Sequence, residues 1–241
     1  MRFFMFLKPK GVEVEELEGR ILAADLDRTL TWGGEDRLSP ALAELLRRLK
    51  REGWILALVT GREKDYIEGR EDLSGLFDGW VLENGVEIFI PETGENHVLL
   101  PEKWEDLKRK ASRLPYVSFK KWTFSLPKEK AEEFGRMVER WGFHVNLEEN
   151  RGLIQVLPGE VDKGVGLLEL LKALGVKGFV VALGDAHVDL GLFRVADFKV
   201  AVGDAEEEVK KVADYVSPFP DGEGAKDVLE KLLQGEFRLP F

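Results

Sequence analysis

The chain contains no cysteine. Disulfide staples, thiolate nucleophiles and cysteine-held metals are therefore excluded, and a reducing cytosol suits such a sequence. Long apolar runs are also missing. The opening MRFFMFLKPKG holds one brief apolar run before Lys8 and Pro9, too short for a signal-peptide core. Nothing approaches the ~20 apolar residues of a membrane span. The expectation is a soluble, cytoplasmic protein with no membrane partner. Positive charge is in deficit, with 35 Lys and Arg against 45 Asp and Glu and a formal net charge of −10. General nucleic-acid binding is not expected, because it needs a cationic face to neutralise phosphates. A small phosphorylated molecule remains compatible, since a metal and a few local cations outweigh the global field.

What is present points to a globular chain. Its 241 residues, 44% hydrophobic, suffice for one large domain or a core with a smaller insertion. Charged residues reach 33% and are mostly Glu, Lys and Arg, as in proteins rich in surface ion-pair networks, a thermophilic trait. Composition leaves monomer and homodimer both open.

An acidic stretch (Glu13, Glu15, Glu16, Glu18) precedes the continuously apolar run Ile21–Ala24, which ends in Asp25. Such runs predict buried parallel strands. Ser39-Pro40 is a cap followed by proline at the first helical position, and Leu42, Leu45, Leu46 and Leu49 make a helical stripe that Gly53 stops. Strands are predicted at Trp54–Val59, ending in Thr60-Gly61, and at Trp80–Leu82, ending in Glu83-Asn84-Gly85. The last third repeats the rhythm. A stripe of Leu167, Leu170, Leu171 and Leu174 leads to a strand at Phe179–Leu183, ending in Gly184-Asp185, and another follows at Phe198–Val202. Val228, Leu229 and Leu232 line a closing helix. Alternating strands and helices predict an α/β fold with a doubly wound parallel sheet, since parallel strands need long crossovers.

The middle differs. Val86, Ile88 and Ile90 alternate, as do Val117 and Phe119 on odd positions and Trp122, Phe124 and Leu126 on even ones. The switch places a turn or bulge at Lys120-Lys121. Phe134, Met137, Val138 and Trp141 form a helical stripe, and Glu149-Asn150-Arg151-Gly152 is a hairpin turn. This pattern predicts an α+β domain at 86–157, inserted into a core made of 1–85 and 158–241.

The chemistry-bearing residues recur at the carboxyl ends of the core strands, where open α/β sheets bind ligands. Asp25-Leu26-Asp27-Arg28-Thr29 ends the first strand, Thr60-Gly61-Arg62 the second, and Gly184-Asp185 through Asp189 a late one; Lys163 starts a helix. Together they suit phosphoryl transfer. Asp25 and Asp185 can hold Mg²⁺, which takes a few carboxylates plus phosphate oxygens. With Lys163 the metal would neutralise the repulsion between Asp25 and a phosphate. Asp25 would attack phosphorus, and Asp27 would protonate the leaving oxygen and then activate water. Thr60 would donate to a phosphate oxygen.

These motifs, in this order, resemble the haloacid dehalogenase superfamily, in particular its Cof-like, subfamily IIB phosphatases with a C2-type cap. Asp25-Leu26-Asp27-Arg28-Thr29-Leu30 is similar to the first motif, Thr60 to the second, Asp162-Lys163-Gly164 to the third, and Gly184-Asp185 with Asp189 to the fourth. The resemblance spans nearly all of the chain after Arg20. It implies a Rossmann-like core with an inserted α+β cap. It also implies a Mg²⁺-dependent phosphatase for a small phosphorylated metabolite, a sugar phosphate or a phosphorylated carboxylic acid. Asp25 would be nucleophile and metal ligand, and Asp27 acid/base with its carbonyl on Mg²⁺. Asp185 would complete the protein ligands and Asp189 would support the metal shell. Thr60 and Lys163 would grip the phosphate. Arg28, Arg62 and Asn84 are candidate substrate contacts.

Two positions depart from the family pattern: Arg28 stands where Gly is usual, and Val188 where Asn is usual. Several candidates also have a purely structural role open to them. Asp189 in a first helical turn needs no ligand to explain it. Lys120 and Lys121 either reach the phosphate side from the cap or form a solvated turn, the turn being the plainer expectation. Trp104, Trp122 and Trp141 suit the cap's own core, and His97, His144 and His187 lack metal-ligand spacing. A sugar phosphomutase and a catalytically silent, phosphate-binding switch are the competing functions.

Overall fold

The computed structural model describes residues 17–32 and 37–240. The acidic residues Glu13, Glu15 and Glu16 lie outside that range, while Glu18 lies in the first strand.

Strand β1 (Leu17–Ala24) lies in the middle of the large sheet. It pairs in parallel with β2 (Trp54–Val59) on one side and β10 (Val176–Gly184) on the other. A strand covered on both faces has no polar side, which is why Ile21 to Ala24 shows no alternation and is wholly buried. The sheet extends through β3 (Gly79–Leu82) in one direction and through β11 (Phe198–Ala201) and β12 (Tyr215–Val216) in the other. Helix α1 (Pro40–Arg51) starts as expected, with the Ser39 hydroxyl accepting from the Leu42 amide at 3.2 Å and Pro40 in the first turn. It packs on α8 (Asp221–Gln234). Helix α5 (Lys163–Leu174) packs on β3, β10 and α6 (Leu190–Arg194). Two short helices, α2 (Lys64–Glu68) and α7 (Glu207–Val212), complete the core. The winding leaves β1 toward β2 and returns toward β10. The topological switch therefore lies between β1 and β10, and their carboxyl ends carry Asp25 and Asp185.

A second, antiparallel sheet has the order β6 (Ser118–Phe119), β7 (Phe124–Pro127), β9 (Leu153–Pro158), β8 (Val145–Asn150). Helices α3 (Trp104–Ala111) and α4 (Ala131–Trp141) supply its apolar partners. Trp104, Leu107, Phe124, Phe134, Val138 and Val156 form its separate core. The Trp104 indole N–H is satisfied by the Trp122 carbonyl at 2.7 Å.

Residues 86–98 depart from the expected organisation. Strands β4 (Glu87–Ile90) and β5 (Glu95–Val98) extend the large sheet, β4 running antiparallel to β3. Val86, Ile88 and Ile90 alternate like a half-exposed strand, yet every residue of β4 is buried, because α5 packs against it. We propose that the inserted unit starts near Leu100, where apolar contacts to the second core begin.

Gly85 shows how tightly the sheet edge meets α5. Its φ is +110°, and a Cβ there would lie 2.1 Å from the Asp162 carbonyl oxygen. Gly85→Ala is expected to cost about 3 kcal/mol, through strain and displacement of the α5 start. The midpoint of urea unfolding measures it; an unshifted midpoint would show that the contact yields freely.

Candidate active site

Asp25 follows β1 directly, and its amide donates to the Leu183 carbonyl of β10 at 3.0 Å. The chain then makes a tight turn through Leu26–Leu30, in which Arg28 takes a φ of 63°. The carboxylate of Asp25 is buried, and Lys163 Nζ donates to its Oδ1 at 2.6 Å. Lys163 Nζ also donates to Asp189 Oδ1 at 2.6 Å. Asp162 caps α5, its Oδ1 accepting from the Val165 amide at 2.9 Å, and so aims the first helical residue, Lys163, into this cluster.

Asp185 ends the adjoining strand. Its Oδ1 accepts from the Thr29 hydroxyl at 3.2 Å and its Oδ2 from the Arg151 guanidinium at 2.6 Å. Asp189 Oδ2 accepts from the amides of Asp185 and Ala186 at 2.9 and 3.0 Å. Asp189 therefore uses one oxygen to hold Lys163 and the other to hold the loop that presents Asp185.

Carboxylate oxygens of Asp25, Asp185 and Asp189 all lie within 4.8 Å of one another. Burial, and then the neighbouring carboxylates, hold the Asp25 carboxyl well above its ordinary range, although Lys163 pulls the other way. Burial followed by Asp189 pushes Asp185 up to about 6. Burial disfavours the Lys163 ammonium, but Asp189 and Asp25 outweigh it, so that lysine stays charged. Three buried carboxylates against one buried lysine leave an excess of negative charge. Such a hard oxygen donor set fits a metal cation. Of the three, Asp25 and Asp185 face the cavity, whereas Asp189 is fully buried with its oxygens held by Lys163 and two backbone amides, so Asp25 and Asp185 are the better ligands.

The remaining expected residues ring the same place. Thr60 is fully buried at the end of β2, and its Oγ1 accepts from the Arg62 amide at 3.2 Å, which leaves its O–H for donation. Arg62 closes a fork on the Asp27 carboxylate, at 2.7 and 2.9 Å. The Glu83-Asn84-Gly85 turn is bonded to this loop, through Glu83 N to Arg62 O at 3.1 Å and Asn84 N to Thr60 O at 3.0 Å. The Asn84 side chain donates to Gln155 of the second sheet. Arg28 folds back, its guanidinium 2.8 Å from Asp204 and 3.8 Å from Asp185. Val188 is buried on the cavity wall and offers no polar atom.

Asp25, Asp27, Arg28, Arg62, Asn84, Lys163, Asp185 and Val188 line a cavity of about 500 Å³, while Thr60 and Asp189 are fully buried and do not line it. Its other wall comes from the inserted unit, which contributes Lys120, Asn150, Arg151 and Gln155. Arg151 is not among the residues expected at the site, and Lys120 is expected in a solvated turn. Lys120 instead reaches the Gly61 carbonyl at 2.6 Å. No local pattern marks either one, because each meets the core only through the packing of the second sheet over the first. Trp122, expected in the inserted unit's own core, packs instead against the small cluster of Val86, Leu157 and Val161.

A family model described as haloacid dehalogenase-like hydrolase matches residues 103–229. Phosphoglycolate phosphatase 2 of Saccharolobus solfataricus is 34% identical over 228 residues, covering 90% of this chain and 94% of that one. The chain belongs to the haloacid dehalogenase-like hydrolase family. Phosphoglycolate phosphatase of Sulfurisphaera tokodaii is 28% identical, with 88% of this chain and 94% of that one covered. The fold is also that of a solved HAD subclass IIB sugar phosphatase, with a TM-score of 0.71 at 20% identity over 88% of this chain and 98% of that chain. This hydrolase thus shares its overall fold, two sheets included, with that solved structure. No helix among its described residues is long and apolar enough to cross a membrane.

Proposed function

We propose that this hydrolase is a Mg²⁺-dependent, cytoplasmic phosphatase of small phosphorylated carboxylic acids, with phosphoglycolate the first candidate. The observation that carries the proposal is the buried contact of Lys163 with Asp25 inside a carboxylate cluster that opens on a small cavity. Two further features support it. The relatives at 34% and 28% identity are phosphoglycolate phosphatases. The wall from the inserted unit offers two cations and two amides, which suit a second anionic group on the substrate.

Asp25 and Asp185, with the Asp27 backbone carbonyl, would hold Mg²⁺. Once bound, the ion supplies charge neutralisation at the phosphoryl oxygens. Lys163 and Thr60 bind two of those oxygens and orient the phosphorus toward Asp25. A carboxylate oxygen of Asp25 forms a bond to phosphorus as the bond to the ester oxygen breaks, and Asp27 gives its proton to that oxygen. The alcohol leaves. Asp27 then takes a proton from water, the water oxygen bonds to phosphorus, and the bond to Asp25 breaks, releasing inorganic phosphate and restoring both carboxyl groups. Asp189 acts through Lys163 and the Asp185 loop. The overlying unit excludes bulk water from the intermediate.

Phosphate release over a panel of phosphoglycolate, hexose phosphates and an aryl phosphate tests this. Phosphoglycolate is expected to lead hexose phosphates in kcat/KM by about 100-fold, because a site built for a charged group rejects molecules lacking it. Chelation of the metal is expected to stop release. Faster turnover of hexose phosphates, or full activity in chelator, would contradict the proposal.

A further inference from the structure

We propose that Lys120, carried by the inserted unit, selects the substrate by pairing with its carboxylate next to Asp27, in concert with Arg62. The proposal rests on the phosphatase reading above and adds a recognition residue to it.

The first argument is an accounting of cations. Five basic residues line the cavity. Arg28 pairs with Asp204, Arg62 with Asp27, Arg151 with Asp185, and Lys163 with Asp25 and Asp189. Among the described residues, Lys120 alone of the five has no carboxylate within ion-pair distance. Its ammonium spends one of three donors on a neutral carbonyl, that of Gly61, at 2.6 Å. Burial pushes this ammonium down, with Glu83 and Glu63 opposing from farther off. A half-buried cation with no partner anion costs free energy in the empty site, and an anionic ligand removes that cost.

The second argument is position. The ester oxygen must leave beside Asp27, its proton donor. In an acid phosphorylated on the neighbouring carbon, the carboxylate is one carbon from that oxygen. It must therefore lie near the Asp27 side of the cavity. Arg62 already holds a carboxylate there in fork geometry, and Lys120 is bonded to Gly61, the residue before Arg62.

The third is rigidity. Lys120 sits between strands β6 and β7, in a segment fastened to the core. Glu83 accepts from the Trp122 amide at 3.1 Å and from the Thr123 amide and hydroxyl at 2.8 and 2.6 Å. Glu63 accepts from the Lys121 amide at 2.7 Å. The ammonium is thereby placed before substrate arrives, so little ordering is needed on binding.

The test compares phosphoglycolate with ethyl phosphate, which has the same length of carbon chain and no carboxylate. The readout is the ratio of their kcat/KM values in wild type, K120M, K120Q and K120R, each checked for folding by thermal unfolding. In K120M and K120Q the ratio is expected to fall on the order of 50-fold, the worth of a charge-assisted hydrogen bond, mainly through KM for phosphoglycolate. K120R is expected to recover much of it, and competitive inhibition by glycolate is expected to weaken in step. A ratio unchanged in folded K120M or K120Q overturns the role of Lys120 while the phosphatase reading stands. A wild-type enzyme with no preference for phosphoglycolate overturns the substrate reading itself, and this proposal with it.

Discussion

Asp25→Asn lowers phosphate release by at least about 10⁴-fold, the scale on which enzymes lose activity when a covalent nucleophile is removed. The amide keeps the shape of the carboxylate but is a poor nucleophile and a weaker partner for a cation. The fold should not suffer. Asp25 is buried, and burial is the largest influence on its carboxyl. A neutral group at that position avoids the desolvation, and Lys163 retains its contact with Asp189 at 2.6 Å. Activity and stability therefore separate: turnover vanishes, while the thermal midpoint of the metal-free protein stays level or rises. Retention of more than about a tenth of the activity would remove Asp25 from the chemistry.

Lys163→Met is expected to lower stability and turnover together. Lys163 is almost fully buried between Asp25 and Asp189. Its removal leaves two buried carboxylates without their shared cation, a change that costs about 3–5 kcal/mol. For a chain of this size the thermal midpoint falls by roughly 10 °C. Activity falls as well, because the phosphate loses its cationic partner. A second substitution tells the two effects apart. Asp189→Asn in the Lys163→Met background removes one uncompensated charge and is expected to restore much of the stability but none of the turnover. Calorimetry and phosphate release on the two proteins measure this. A single variant as stable as wild type would mean that Lys163 does not bridge these carboxylates.

The strand ends were legible in the sequence because two signals coincide there. A strand buried on both faces must be apolar throughout, and the first polar residue after it emerges at the sheet edge, as Asp25 does after Ala24 and Asp185 after Gly184. Order along the chain then brings both to the switch between β1 and β10. The edge of the large sheet was less legible. Val86, Ile88 and Ile90 carry the alternation of a half-exposed strand, but Glu87 between them is also buried, with Lys121 as its partner at 3.4 Å. Pattern alone cannot report such a tertiary partner. The same limit hid Arg151 and Lys120. Each sits at or beside a turn, where charge usually means solvent, and each acquires a role only because the second sheet lies over the first. Asp189 was expected near the metal, and it lies within the carboxylate cluster. Its hydrogen bonds make it a holder of Lys163 and of the Asp185 loop, a function that spacing does not distinguish from ligation.

The phosphorylated residue itself is the most direct test of the central claim, that Asp25 accepts the phosphoryl group. Wild-type enzyme with Mg²⁺ is mixed with phosphoglycolate, quenched in acid within one turnover, and its peptides are mapped by mass spectrometry. The account predicts a phosphoryl group on the peptide that contains Asp25, located at that side chain and absent from Asp25→Asn. Phosphorylation at any other residue, or release of phosphate with no protein-bound phosphoryl group at any quench time, would contradict it.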